Sequence, residues 1–130
     1  MIVDSSVIVA ILRGEPEQAH FAKLIAAAGH ARLSAASYLE TAIVIDRARD
    51  PVTSRALDTF LAATGIEIEA VSPEQARIAR DAYRDFGKGS GHATQLNFGD
   101  CLSYALAKAR GEPLLFKGED FIHTDLEVAG

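Results

Sequence analysis

Cysteine is nearly absent from this chain: Cys101 is its one thiol. That excludes an internal disulfide and a thiolate metal centre, and it fits a reducing cytoplasm. Taken alone, Cys101 reads as a small buried apolar side chain. Long apolar runs are missing too. The longest nearly uncharged stretches are about ten residues, against the ~20 that a bilayer span needs. Met1 leads straight into Ile2 and Val3 without a basic segment, so neither secretion nor membrane insertion is expected. Basic charge is in short supply, with 13 Lys and Arg against 18 Asp and Glu and a formal net charge of -5. This argues against a sequence-independent binder of nucleic acid phosphates, unless converging carboxylates hold divalent metal and change the charge that a phosphate meets. The four histidines, His20, His30, His92 and His123, form no H-E-x-x-H or comparable pair, so each reads as a surface histidine.

What is present is an ordinary globular composition: 130 residues, 48% apolar and 24% charged, with a mean hydropathy of +0.09. One domain over residues 1–130 is expected, without repeat or linker. Ile2-Val3 reads as a short strand ending at Asp4, and residues 5–12 as a buried helix that stops before Gly14. Phe21, Leu24, Ile25 and Ala28 mark one face of a second helix, stopped by Gly29. Residues 31–34 read as a strand. Ser37 then opens a strongly apolar helix, and Asp50-Pro51 caps another that runs to Gly65. Residues 37–64 are thus expected to be a helical hairpin that is buried or contacts another chain. The alternation in residues 66–71 predicts a half-exposed strand. Ser72-Pro73 opens a helix with Ala76, Ala79, Tyr83 and Phe86 inward. Gly87, Gly89 and Gly91 lie in a polar stretch expected to form a mobile surface loop. Asn97 precedes a helix with Leu102, Ala105, Leu106 and Ala109 on one face. Residues 113–116 read as an apolar strand and 126–128 as a last short one. Short apolar strands alternating with helices predict an α/β fold with a parallel sheet covered on both faces.

The positions of the acids carry the functional reading. Asp4 follows the first strand, Glu40 lies in the first turn of the helix after the second, Asp100 opens a helix, and Asp120 follows the strand at 113–116. Strand C-termini and helix N-termini share one edge of such a sheet, the edge where these folds bind ligands. Each acid alone has a capping explanation: Asp4 as an N-cap, Ser37 with Glu40 as an S-x-x-E box, and Asp100 beside Asn97. Capping leaves their convergence unexplained, because four clustered carboxylates repel one another unless a cation compensates. Carboxylate oxygens without Cys or His at ligand spacing favour Mg²⁺, or Mn²⁺ in its place, over zinc. Such a site suits phosphodiester hydrolysis.

M-I-V-D-S-S-V at the start, S-Y-L-E-T at 37–41, K-G and L-N-F-G-D-C within 88–101, and L-L-F-K-G-E-D-F with T-D within 114–125 resemble the PIN-domain ribonucleases, specifically the VapC toxins of toxin-antitoxin pairs. The resemblance covers nearly the whole chain. It implies a PIN-like three-layer sandwich with a short parallel sheet of four to five strands, and an acidic quartet of Asp4, Glu40, Asp100 and Asp120. Asp4 and Asp100 would be the principal metal ligands. Glu40 and Asp120 would complete the shell and orient the attacking water, and Ser6 fits the hydroxyl residue near the first acid. Ser6 can equally bond its own backbone in a first helical turn. The resemblance further implies an RNA substrate, a homodimer and a cognate VapB-like antitoxin.

Two departures stand out. Glu119 adds a fifth acid where the family often has asparagine. The loop reads K-G-S-G-H-A-T-Q-L-N and lacks the usual arginine, which leaves Lys88 and His92 either to contact RNA phosphate or, as the sequence favours, to sit in a solvated loop. Haloacid-dehalogenase-type phosphatases and receiver domains also place an aspartate after the first strand. The first needs a second Asp where this chain has Ser6, and the second an acidic pair that is missing here. A PIN-fold RNA-processing nuclease outside a toxin-antitoxin pair, and an inactive PIN fold that only binds protein, are the remaining alternatives.

Overall fold

A computed structural model of the chain describes residues 1–130. Strand β1 (Ile2–Val3) ends at Asp4, whose carboxylate accepts a hydrogen bond from the Ser6 amide and so starts α1 (Ser5–Leu12). Helix α2 (Gln18–Ala28) stops at Gly29, whose φ of 73° favours glycine. Strand β2 (Arg32–Ser34) passes directly into α3 (Ala35–Asp46). Helix α4 (Pro51–Thr64) opens as its Asp-Pro start predicts, with Asp50 accepting from the Val52 amide. After β3 (Glu67–Glu69) comes α5 (Pro73–Phe86), capped by Ser72. Asn97 and Asp100 exchange both bonds of a capping box at the start of α6 (Phe98–Arg110), and β4 (Leu114–Leu115) follows.

The four strands are all parallel and lie in the order β3-β2-β1-β4, the expected α/β sheet. Ile2 pairs with Leu114 and Val3 with Leu115. Successive strand residues point to opposite faces, so each pair feeds a different core. Ile2 and Leu114 pack with Ala79, Ala82, Leu102, Leu106 and Phe121 on the α5–α6 side. Val3 and Leu115 pack with Ile8, Phe21, Ile25, Leu33 and Leu57 on the other. The sheet is the middle of three layers. Helix α6 packs against α5, α3 and the sheet, and every residue from Cys101 to Ala107 is buried.

Several boundaries differ from the sequence reading. Helix α3 begins three residues early because Ser34, with no breaker behind it, caps it by accepting from the Ala36 amide. The Ser37–Glu40 capping box therefore does not form: Ser37 is buried inside the helix and Glu40 lies in its second turn. Helix α5 buries Gln75, Ala79 and Ala82, while Ala76 and Tyr83 are exposed. Its apolar residues are spread widely enough to admit either face, and the alanine face lets α6 approach closely. Ala109 is exposed, beyond the buried length of α6. The last strand shrinks to one parallel bridge, Leu114 with Val128. The glycine-rich loop is closed at its base by a bridge between Gly87 and Leu96.

Candidate active site

At the C-terminal edge of the sheet, β1 delivers Asp4, β2 leads into the helix carrying Glu40, α6 begins with Asp100, and the turn after β4 brings Asp120. All four acids line one cleft of about 500 Å³, together with Ser5, Ser6, Asn97 and Lys117. A larger cavity of about 670 Å³ lies across Asn97, between α5 and α6. Its lining includes Val71, Tyr83, Phe98 and Leu102 and none of the four acids. The chemistry belongs to the smaller, polar cleft.

Each acid is held differently. Asp4 is 4% exposed; its Oδ2 accepts from the Ser6 amide at 3.0 Å and its Oδ1 from the Ser103 hydroxyl at 2.6 Å. Glu40 accepts from the Ser5 hydroxyl at 2.6 Å. It lies over Gly99 so closely that a β-carbon there would stand 2.1 Å from Glu40 Oε2. Asp100 accepts from the Asn97 amide at 3.0 Å. Burial pushes its carboxyl up to about 7, with the charges of Asp4, Asp120 and Glu40 adding to the rise against the opposing Asn97 bond. Asp120 is exposed.

Ser6 does not cap its own backbone. Its hydroxyl accepts from the Lys117 amide at 3.0 Å and ties α1 to the turn carrying Asp120. The Lys117 ammonium, the one basic group in the lining, bonds Glu15 at 2.7 Å and Glu17 at 2.8 Å. It is thereby committed to acids outside the quartet, and those bonds raise its pKa. Glu119 is exposed and does not line the cleft. Lys88 lines the apolar cavity instead. His92 stacks edge-on against Phe86 at 5.0 Å and accepts from the Thr94 amide through Nδ1. The structure thus brings Ser6 to the acids and leaves Lys88 and His92 outside their cleft.

No three Asp, Glu, His or Cys side chains converge at metal-holding distance on one point. The cleft is a ring of carboxylates around open space rather than a closed cage. Its donor set still fits a hard divalent cation: the oxygens are carboxylate, the four acids line one cleft with a single basic group, and Mg²⁺ commonly takes only one or two carboxylates and keeps its water. Ser5, Ser103 and Gly99 were missed in the sequence reading. Ser103 stands three residues beyond Asp100 on the same helical face, and a glycine in a first helical turn signals close approach; those were the available signals.

A parallel sheet in this strand order, with acids gathered at its C-terminal edge, is accompanied by a match of the PIN domain model to residues 1–127. The chain belongs to the PIN domain family. Among its relatives are VapC ribonuclease Mb0625 of Mycobacterium bovis and ribonuclease VapC28 of Mycobacterium tuberculosis, each 59% identical over 129 residues, covering 99% of this chain and 97% of theirs. Ribonuclease VapC42 of M. tuberculosis is 48% identical over 129 residues, covering 99% of this chain and 98% of its own. Within the family the chain is therefore of the VapC type. The crystal structure of M. tuberculosis VapC20, described as a sarcin-ricin loop cleaving toxin, superposes with a TM-score of 0.75 at 18% identity, covering 99% of this chain and 98% of that one. A toxin-antitoxin complex from Klebsiella pneumoniae gives 0.69 at 13% identity, covering 95% and 92%. These two likenesses concern the fold.

Proposed function

We propose that this chain, a single PIN domain, is a Mg²⁺-dependent endoribonuclease toxin of the VapC kind, with Mn²⁺ able to substitute. It acts in the cytoplasm as a homodimer and is held inactive by a cognate VapB-like antitoxin. The observation that carries the reading is the meeting of Asp4, Glu40, Asp100 and Asp120, from four separate parts of the chain, in one cleft. The names of the relatives, VapC ribonucleases at 59% and 48% identity, support the same activity.

Asp4 and Asp100 would hold the cation, the first rigidly and the second from the α6 N-terminus. A bound divalent cation supplies Lewis acidity, offsetting charge on the scissile phosphate and making water a better nucleophile. Glu40 and Asp120 orient the attacking water and accept its proton. Lys117 screens the rim of the cleft while its two glutamates hold it there. Exposed apolar side chains supply surface for partners: Leu39, Ile43 and Val52 on the α3–α4 hairpin, and Val71, Tyr83 and Phe98 around the second cavity. Because Glu40 and Val44 of α3 line the acid cleft, an antitoxin segment lying on α3 would reach it. An arginine from that segment would compete there with cation and RNA.

The test is cleavage of single-stranded RNA by the purified chain with and without Mg²⁺. Asp4→Asn and Asp100→Asn are each expected to lower Mg²⁺-dependent cleavage by about 10²–10³-fold, the loss of a few kcal/mol of transition-state stabilisation. Full activity in either variant contradicts the assignment.

A further inference from the structure

We infer that Ser103, backed by Ser37, is a positioning residue that fixes the Asp4 carboxylate and its spacing from Asp100. The inference rests on the reading of the acid cleft as a divalent-cation site. Ser103 is fully buried, Ser37 is 1% exposed and Asp4 4%. A serine inside a helix ordinarily returns its hydroxyl proton to a carbonyl of the preceding turn. Ser103 instead donates across the fold to Asp4 Oδ1 at 2.6 Å, between residues 99 positions apart in sequence.

A hydroxyl has one proton, and that of Ser103 is committed to Asp4. The 3.1 Å contact between the Ser103 and Ser37 hydroxyls must then be donated by Ser37. The result is a one-way chain from α3 through α6 to the junction of β1 and α1. Its far end is anchored as well, because the Ser37 carbonyl accepts from the Thr41 hydroxyl at 2.7 Å. Asp4 Oδ2 is held from the opposite side by the Ser6 amide at 3.0 Å. With one donor on each oxygen, from two different elements, the carboxylate cannot turn about its own axis without breaking a buried bond. Asp100 lies three residues before Ser103 on α6, so the bond that aims Asp4 also sets how far the Asp100 side of that helix stands from it.

Loss of the hydroxyl would free Asp4 to turn and would leave the Ser37 hydroxyl without its acceptor. Partners that orient metal ligands typically affect metal affinity by about 10–100-fold. The experiment is a Mn²⁺ titration of the purified wild-type chain, Ser103→Ala and Ser37→Ala, followed by electron paramagnetic resonance of the free ion, with the metal-free Tm of each measured in parallel. Ser103→Ala is expected to raise the Mn²⁺ Kd about tenfold. Ser37→Ala, which leaves the Ser103–Asp4 bond in place but unsupported, is expected to raise it about threefold. A role confined to packing would lower the metal-free Tm without moving either Kd, and that result overturns the inference. If Ser103→Ala does not fold, an unchanged Kd in Ser37→Ala overturns it equally. A wild-type chain that binds no Mn²⁺ defeats the cation reading itself and the inference with it, whereas wild-type binding with an unaltered Ser103→Ala defeats the inference alone.

Discussion

A methyl group at Gly99 would lie 2.1 Å from Glu40 Oε2 and 2.7 Å from Glu40 Cδ. What it meets is the far end of a flexible side chain, which can swing away at little cost to the fold. Alanine is also the better helix former by up to about 1 kcal/mol. Gly99→Ala is therefore expected to keep its Tm within a few degrees of the parent while RNA cleavage falls about tenfold or more, because Glu40 must leave its bond to Ser5. Normal cleavage in this variant would remove Glu40 from the active set. Asp100 makes a second prediction at this scale. Its folded pKa, about 7, lies above the ordinary 3.8, so between those values the folded chain binds more protons than the unfolded one. Stability is then fully present below about pH 4 and declines as pH rises through 7. After allowance for solvent screening the cost at pH 8 is about 1–2 kcal/mol. Asp100→Asn, which keeps an acceptor for the Asn97 amide, is expected to raise the metal-free Tm at pH 8 by about 3–6 °C and to flatten its dependence on pH. Thermal melts from pH 5 to 8 check this, and a variant with an unchanged profile would contradict it.

Helix α3 presents two different faces. Inward it buries Ser37, Thr41 and Ile45, with Glu40 on the cleft; outward it exposes Leu39 at 57% and Ile43 at 56%. Replacing both with glutamine, a good helix former, removes apolar surface already in water and should alter stability by only about 0.5 kcal/mol. Binding of the cognate antitoxin is expected to weaken about 10–100-fold, since only the exposed half of each side chain remains to be buried, worth about 1 kcal/mol apiece out of ~1.5–3 kcal/mol for full burial, while cleavage by the free chain persists. Competition binding and cleavage assays on one preparation separate the two. The exposure of α3 was foreshadowed by its sequence, which carries more apolar residues than one face can bury. Its starting point was not, because Ser34 and Ser37 offer the same hydroxyl and only the observed pairing of β2 with β1 and β3 shows which of them ends the strand. The four acids were legible for a similar topological reason: strand, helix and parallel sheet together fix the edge on which each must lie. The buried serines were legible only in part: spacing puts Ser103 on the Asp100 face of its helix, but nothing in an apolar helix marks Asp4 as the group that receives its proton.

Across the whole molecule, charge is sorted by the two ends of the sheet. At the N-terminal end, Glu112 receives the Met1 amine at 2.6 Å and also bonds Arg32, so opposite charges are paired beside the starts of β1, β2 and β4. At the other end, carboxylates face one another, and the one ammonium in the lining is already held by Glu15 and Glu17. A net charge of -5 therefore describes the cleft poorly: its local field is more negative than the average, which favours capture of a dication before a phosphate can approach.

The cleft draws its acids from positions 4 and 120 of a 130-residue chain, with the buried α6 between them. No N-terminal fragment that stops before Asp120, however well it folds, holds the full set. A chain cut short of Asp120 is thus expected to keep Asp4, Glu40 and Asp100 and still lose one wall of the cleft, so that damage to a late turn disarms a site whose other three acids are untouched.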